Sequence, residues 1–331
     1  MRAQLTEVVS LLAGLFRNPS QGSASTGVSA LMRLVGDLGG MLTEDEWSCI
    51  FLSLKETSAS MLPGFLKLIR IMDRIEIPNV AQSYSYSYDD GGETPSNTST
   101  SENYEDDNLQ TAGYIVSRMK THISMQLLIM QVTTDLYNMH QHLLKASSVK
   151  IVLEIFSQTM SHAHQLSSET GLHLKLQRAC SILEISDPPV VHFENESYQN
   201  ILNLLHHLLT SNPSLSDEMG IEAQLFSICE EIIETYLKCS RLEEEKPAAA
   251  VVHWILPLNS AVKEELGART SLLVSALRVL SEVDKDCFKK YASRLFPLLV
   301  ELVRCEHSSR EVQPVLSNLF QTCIGPMIIK A

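Results

Sequence analysis

The chain has 331 residues, of which 44% are hydrophobic, 20% charged and only 6% aromatic, and its formal charge is −13. That is material for about two ordinary domains or one extended helical array, and its Leu, Met and Ala favour helices over sheets. The acidic balance, with no basic patch larger than Lys289-Lys290 or Lys67, Arg70 and Arg74, argues against binding nucleic-acid phosphates or anionic lipid directly.

In chain order, MRAQLTEVVSLLAGLF reads as an amphipathic helix, because Glu7 interrupts the apolar core a signal peptide needs. No run approaches the ~18 apolar residues of a membrane span. The chain is therefore expected to be soluble and to stay out of the secretory lumen, so the sequons at Asn97 and Asn195 carry no meaning. Its seven scattered cysteines, such as Cys229 among Leu225, Ile228 and Ile232, read as small buried side chains in a reducing compartment. Gly36, Gly39 and Gly40 end a helix by turn chemistry. Thr43 and Glu46 have the spacing of a capping box that opens the next one, as do Ser308 and Glu311 near the other end.

Residues 78–108 hold seven carboxylates and no Lys or Arg, among Ser, Gly and Asn. Such a segment buries too little apolar surface to offset the entropy of ordering. It is expected to be a disordered acidic loop and a site of proteolytic nicking. It divides the chain into an N-terminal helical segment (1–77), the loop (78–108) and a C-terminal helical-repeat region (109–331).

Apolar residues then recur with the helical period over 198–209, 221–236, 266–280 and 288–302. Asp187-Pro188-Pro189, Asn212-Pro213 and Lys246-Pro247 break helices. The punctuation gives about ten to twelve helices of about two to five turns, and no strand. Leu295 to Val303, a polar turn, then Val312, Val315, Leu316 and Leu319 resemble a HEAT-like hairpin, with Pro297 in its first helix and Pro314 early in its second. The pairs 198–209/217–238 and 261–282/284–303 follow the same logic. The segment 284–323 is expected to turn near Cys305 to Ser308 and to pack on 261–282. The predicted fold is all-α, a HEAT/armadillo-like α-solenoid, with a compact bundle as the alternative.

Candidates for chemistry are few. His162 and His164, like His140 and His142, are two apart, so on a helix they diverge by about 200° and cannot easily share a metal. His206-His207 lies in a leucine-rich helix, where one ring packs and the other faces water. Cys229 sits on an apolar face, where burial suppresses thiol reactivity. Glu243 to Glu245 and Asp89-Asp90 read as solvated charge. No spacing matches a metal, phosphate or nucleophile motif. No catalytic, cofactor-binding or metal residue is assigned, and no cofactor or small-molecule substrate is expected.

Six stretches together carry a resemblance: GSASTGVSALMRLVGDLG (22–39), EDEWSCIFLSLKE (44–56), THISMQLLIMQVTTDLYNMHQHLL (121–144), RACSILEISDPPVVHFENESYQN (178–200), ARTSLLVSALRVL (268–280) and FPLLVELVRCEHSSREVQPVLSNLFQTCIGP (296–326). Their order and wording resemble the C-terminal end of plant brefeldin-A-inhibited guanine-nucleotide exchange factors for ARF GTPases. The most specific portions are His192 to Asn195 and Cys323 to Pro326. The resemblance implies a long protein whose exchange domain lies outside this chain, with helical flanks that govern dimerisation, recruitment and autoinhibition. This chain would be a fragment or partial product and a non-catalytic regulatory scaffold. It would contact upstream domains of the same factor, ARF-type GTPases or a second copy, and sit in the cytoplasm, peripherally on trans-Golgi or endosomal membranes. A stand-alone adaptor unrelated to exchange is the alternative, and a helical enzyme ranks last.

Overall fold

The computed structural model describes residues 2–16, 21–77, 99–244, 258–305 and 310–329. Among them every regular element is helical, as the 3.6-residue periodicity requires, and the fold is all-α of the helical-repeat kind. Two compact units are present, Met1–Phe193 and Glu194–Ala331.

The first unit contains α1 (Arg2–Leu15), α2 (Gln21–Leu38), a 3-10 turn (Gly39–Met41), α3 (Glu44–Arg74), α4 (Ser99–His140), α5 (Ala146–Ser168) and α6 (Thr170–Ile182), and ends in the first turn of α7 (Val190–Ser211). The capping box at Thr43 is formed: the Thr43 N–H donates to Glu46 Oε2 at 2.8 Å, and Thr43 Oγ1 accepts from the Glu46 N–H at 3.4 Å.

Helix lengths exceed the two to five turns that the punctuation gave, since α3 has 31 residues and α4 has 42. Pro63 sits inside α3. A proline there costs about 3 kcal/mol, which burial of Phe65 and Met72 further along the same helix can offset at about 1.5–3 kcal/mol each. Helix α4 begins at Ser99, so it takes in residues 99–108 of the acidic segment. Once Ala112 to Ile123 are anchored, extension towards the N-terminus needs propagation but no new nucleus. Residues 78–98, and with them the rest of the expected loop, lie outside the described residues.

A core of Phe65, Met72, Ile115, Met119, Ile123 and Leu176 joins α3, α4 and α6. The first half of α3 lies alongside α5 in parallel register, with Ser48 Oγ 3.1 Å from Ser148 Oγ and Lys55 Nζ 2.7 Å from Glu154 Oε2. Helix α2 ends at Leu38, as its glycines predicted, and Gly39 then packs directly on the ring of His140, where a Cβ would overlap the imidazole.

The start of α5 is capped from another helix. Lys145, its own N-cap residue, makes no side-chain cap bond. Instead the Glu44 carboxylate accepts from the N–H groups of Lys145 (3.1 Å) and Ser148 (3.0 Å) and from the Ser147 hydroxyl. Burial alone would raise the Glu44 pKa, but these donors outweigh it and hold the group below its ordinary 4.5. A depressed carboxyl pKa stabilises the fold above the unfolded value and loses that contribution as pH falls through the folded one. Glu44→Gln should therefore cost about 1 kcal/mol at neutral pH, as lost caps do. The deficit should shrink as pH drops below about 4.5, because the wild type then loses the same charge. Urea unfolding of both proteins from pH 7 to pH 3 measures this; a deficit independent of pH would show that the Glu44 charge does not cap α5.

The second unit holds α7 from Glu194 onward, α8 (Pro213–Met219), α9 (Ile221–Glu244), α10 (Leu258–Glu282), α11 (Lys285–Arg304), α12 (Val312–Leu319), a π-helical turn (Phe320–Ile324) and α13 (Gly325–Ile329). Asn212-Pro213 breaks the chain as predicted: the Asn212 side chain accepts from the Leu215 N–H and Pro213 opens α8. The single helix expected over 217–238 is interrupted, because Gly220 takes the left-handed conformation at φ 62°. Glycine reaches that conformation without a Cβ clash. The Lys246-Pro247 break and the Ser308 cap lie outside the described residues.

The expected packing of 284–303 on 261–282 needs correction. Helix α11 packs on α9, and α12 packs on α10. The α9 surface complements α11 point for point. Phe226 stacks on Tyr291 at 4.2 Å between centroids, Lys290 Nζ lies 3.0 Å from Glu222, and Arg294 and Arg241 pair with Glu230 and Glu301. Each exposed pair adds little energy, but together with the ring stack they select α9 over α10. At the far end, the Gly325 N–H reaches back five residues to the Phe320 carbonyl. Pro326 cannot donate to the turn before it, and the π turn accommodates this while burying Cys323 beside the Leu280 carbonyl.

Candidate functional site

The histidines considered in the sequence separate as helical geometry requires. His162 turns into the first unit, where its Nε2 lies 2.9 Å from Nε2 of His122, a residue the sequence reading did not single out. His122 stacks on Phe65 at 4.0 Å, and His162 meets Phe65 and Phe193 edge-on at 5.3 and 5.9 Å. Burial, with repulsion from His162 and Arg118, lowers the His122 pKa to about 3, and burial lowers that of His162 to about 4. Both rings are neutral, so one Nε2–H donates to the other's lone pair. His140 packs on Trp47 at 4.9 Å, and burial followed by His142 lowers its pKa.

In the second unit His206 and His207 are both half-buried, not one in and one out, and His206 Nε2 lies 3.4 Å from Glu282 Oε2. Cys229 is fully buried, which raises its thiol pKa. Burial also pushes Cys180 and Cys287 up to about 12, aided by Asp187 and Glu222 respectively. Glu243 and Glu244 close α9, while Asp89-Asp90 falls outside the described residues. Among the described residues no three His, Cys, Asp or Glu side chains are grouped to hold a metal, and no helix is long and apolar enough to cross a membrane.

Two built features remain, one in each unit. The first is a groove of about 530 Å³ where α3 and α5 part beyond Lys55 and Glu154. One wall is Ser58, Ala59, Leu62 and Leu66 of α3. The other is Ser157, Gln158, Ser161 and Gln165 of α5, and Gln126 and His162 lie between them. Gln126 and Ser58 are tied together: the Ser58 hydroxyl donates to Gln126 Oε1 at 2.6 Å, and Gln126 Nε2 donates to the Ser58 carbonyl at 3.2 Å. The lining contains no Asp, Glu, Lys or Arg.

The second is a buried ion cluster. Arg269 Nη1 lies 2.6 Å from Glu194 Oε2, and Arg269 Nη2 lies 3.0 Å from Glu265 Oε1, with the Arg269 and Glu194 side chains only 7% and 2% exposed. Burial opposes the charge on Arg269, but Glu194 and Glu265 outweigh it and hold the pKa above its ordinary value. Beside it the Tyr198 phenol is kept protonated by burial and then by Glu231. The adjoining void of about 10 Å³ matches one water molecule, not a ligand. This cluster fastens α7 to α10 and exposes nothing to a substrate.

Comparison with known proteins places these features in a family. Residues 124–321 match the family described as the BIG2 C-terminal domain. Brefeldin A-inhibited guanine nucleotide-exchange protein 1 of Arabidopsis thaliana is 46% identical over 99% of this chain and 19% of its own length. Protein 4 of the same name and organism is 40% identical over 99% of this chain and 18% of its own, and protein 2 is 30% identical over 98% and 18%. The chain thus spans about a fifth of the length of the curated relatives it matches. No solved structure matches it. With helices, order and wording in agreement along its length, the chain belongs to the family of brefeldin A-inhibited guanine nucleotide-exchange proteins, as their C-terminal domain.

Proposed function

We propose that this chain is a non-catalytic regulatory and scaffolding region of an ARF guanine-nucleotide exchange factor acting in vesicle trafficking. The observation that carries the reading is the match itself. It runs over 99% of this chain at 46% identity, yet takes in only 19% of a relative named for nucleotide exchange. The architecture supports it, because layered helices supply contact area whose sides can take partner helices or loops. The partners are other domains of the same factor, the GTPase, or a second copy, and contact with trans-Golgi or endosomal membranes is peripheral and made through those partners.

Release of a fluorescent nucleotide from ARF tests this in three arms: the isolated chain, the longer factor that contains it, and that factor ending before Met1. The isolated chain should leave release at its spontaneous rate. Removing the region should change the exchange rate, the oligomeric state or the membrane recruitment of the longer factor. Stimulation by the isolated chain would refute the non-catalytic part, and a truncation that alters none of the three would refute the regulatory part.

A further inference from the structure

The groove between α3 and α5 is lined without charge. In a chain that is 20% charged, none of its lining residues carries a formal charge, and His162 is neutral because burial holds its pKa near 4. Depletion of charge is the compositional mark of an interface centre. Beyond the Ser58–Gln126 pair, part of the groove's hydrogen-bonding capacity is also unspent. Gln158, Ser161 and Gln165 follow one another along the exposed edge of α5, and their side chains bond to no described residue. On the opposite wall the half-buried Leu62 and Leu66 offer an apolar surface one turn apart.

We propose that this groove receives a short, extended and uncharged segment of a partner protein, its apolar side chains against Leu62 and Leu66 and its backbone on the side-chain amides of Gln158 and Gln165. The walls, 58–66 and 157–165, each run about 12 Å at 1.5 Å per residue, which spans three to four residues of extended chain at about 3.3 Å each. The volume of about 530 Å³ falls within the usual range of ligand sites. An extended segment brings free N–H and C=O groups to meet the glutamine amides. A helix has its backbone already paired and would leave those amides buried and unsatisfied, which is costly. A charged segment would give up its hydration to a lining with no counter-charge, which also excludes a phosphate or an anionic headgroup.

The inference rests on the protein-contact reading above and deepens it, and its test is separate. Acetyl-leucyl-seryl-leucinamide is titrated into the full chain while side-chain amide resonances are followed by NMR, with the glutamyl and lysyl analogues at the central position as controls. Saturable shifts of the Gln126, Gln158 and Gln165 amides are expected for the neutral peptide. Binding should weaken at least about tenfold with either charged analogue, and similarly in Ser161→Glu, a substitution at an exposed position that leaves the core intact. Absence of saturable shifts, shifts centred away from the groove, or equal binding of all three peptides would overturn the proposal. Carrying Ser161→Glu into the longer factor separates the two claims. If truncation before Met1 alters exchange and Ser161→Glu does not, the groove assignment fails while the regulatory reading stands.

Discussion

Arg269→Ala should destabilise the protein by about 3–5 kcal/mol, one of the two largest single-site effects expected here. The cost does not measure the strength of the Arg269–Glu194 attraction. It arises because Glu194, only 1% exposed, would be left buried with its nearest cation gone. The same reasoning makes the double variant Glu194→Met, Arg269→Met far milder. Removing both charges abolishes the desolvation penalty together with the attraction, and apolar replacements of buried pairs are often neutral or stabilising. Glu265, at 35% exposure, can turn to solvent in either variant. Urea unfolding of the wild type, both single variants and the double variant measures the coupling directly. A loss under about 1 kcal/mol for Arg269→Ala would mean that water reaches Glu194, and that the cluster does not fasten α7 to α10 as the distances imply.

That cluster also shows how far the sequence could be read. Glu265 and Arg269 are four residues apart on one helix, a spacing that local rules recognise as a pair. The partner that makes the site matter, Glu194, lies 75 positions earlier on another helix. No local rule links it, although it falls in the irregular stretch His192 to Asn195 that marked the family. His122 escaped for a similar reason. On α4 it shares a buried stripe with Met119, Ile123 and Gln126, so a polar residue on an apolar face was visible. Its partner His162 lies 40 residues on, however, and only the packing of α5 against α4 brings the two Nε2 atoms together. The groove was not legible at all, since its walls come from separate helices.

Helix identity, by contrast, was largely local. The periodic runs at 198–209, 221–236, 266–280 and 288–302 are helical, and Thr43, Asn212 and Asp284 cap where side-chain chemistry allows. Helix ends are set by tertiary burial as well as by local signals. Pro63 stays within α3 because Phe65 and Met72 are anchored beyond it. Gly220 divides the single helix expected over 217–238. Helix neighbours were the weakest inference. Sequence adjacency favoured α10 for α11, while the aromatic and charged residues facing α11 belong to α9. Complementarity between distant faces decided the pairing, and a periodic pattern specifies only that a face is apolar, not what it meets.

Leu299→Asp tests that pairing with a comparably large effect. Leu299 is 0% exposed on the buried stripe of α11, with Phe288, Leu295 and Leu302. Truncation to alanine alone would cost about 2–5 kcal/mol through lost transfer energy and the cavity left behind. Aspartate adds a carboxylate facing apolar side chains, so a total of about 5 kcal/mol is expected. That is a large share of the 5–15 kcal/mol by which domains are typically stable, and the second unit should melt well below the first. The variant pair distinguishes burial from pairing. If α11 meets α9, Phe226→Ala should be markedly non-additive with Tyr291→Ala, since the two rings stack at 4.2 Å. If α11 met α10 instead, the two losses would simply sum. A Leu299→Asp protein melting at the wild-type temperature would place Leu299 at the surface and reject the arrangement of the second unit altogether.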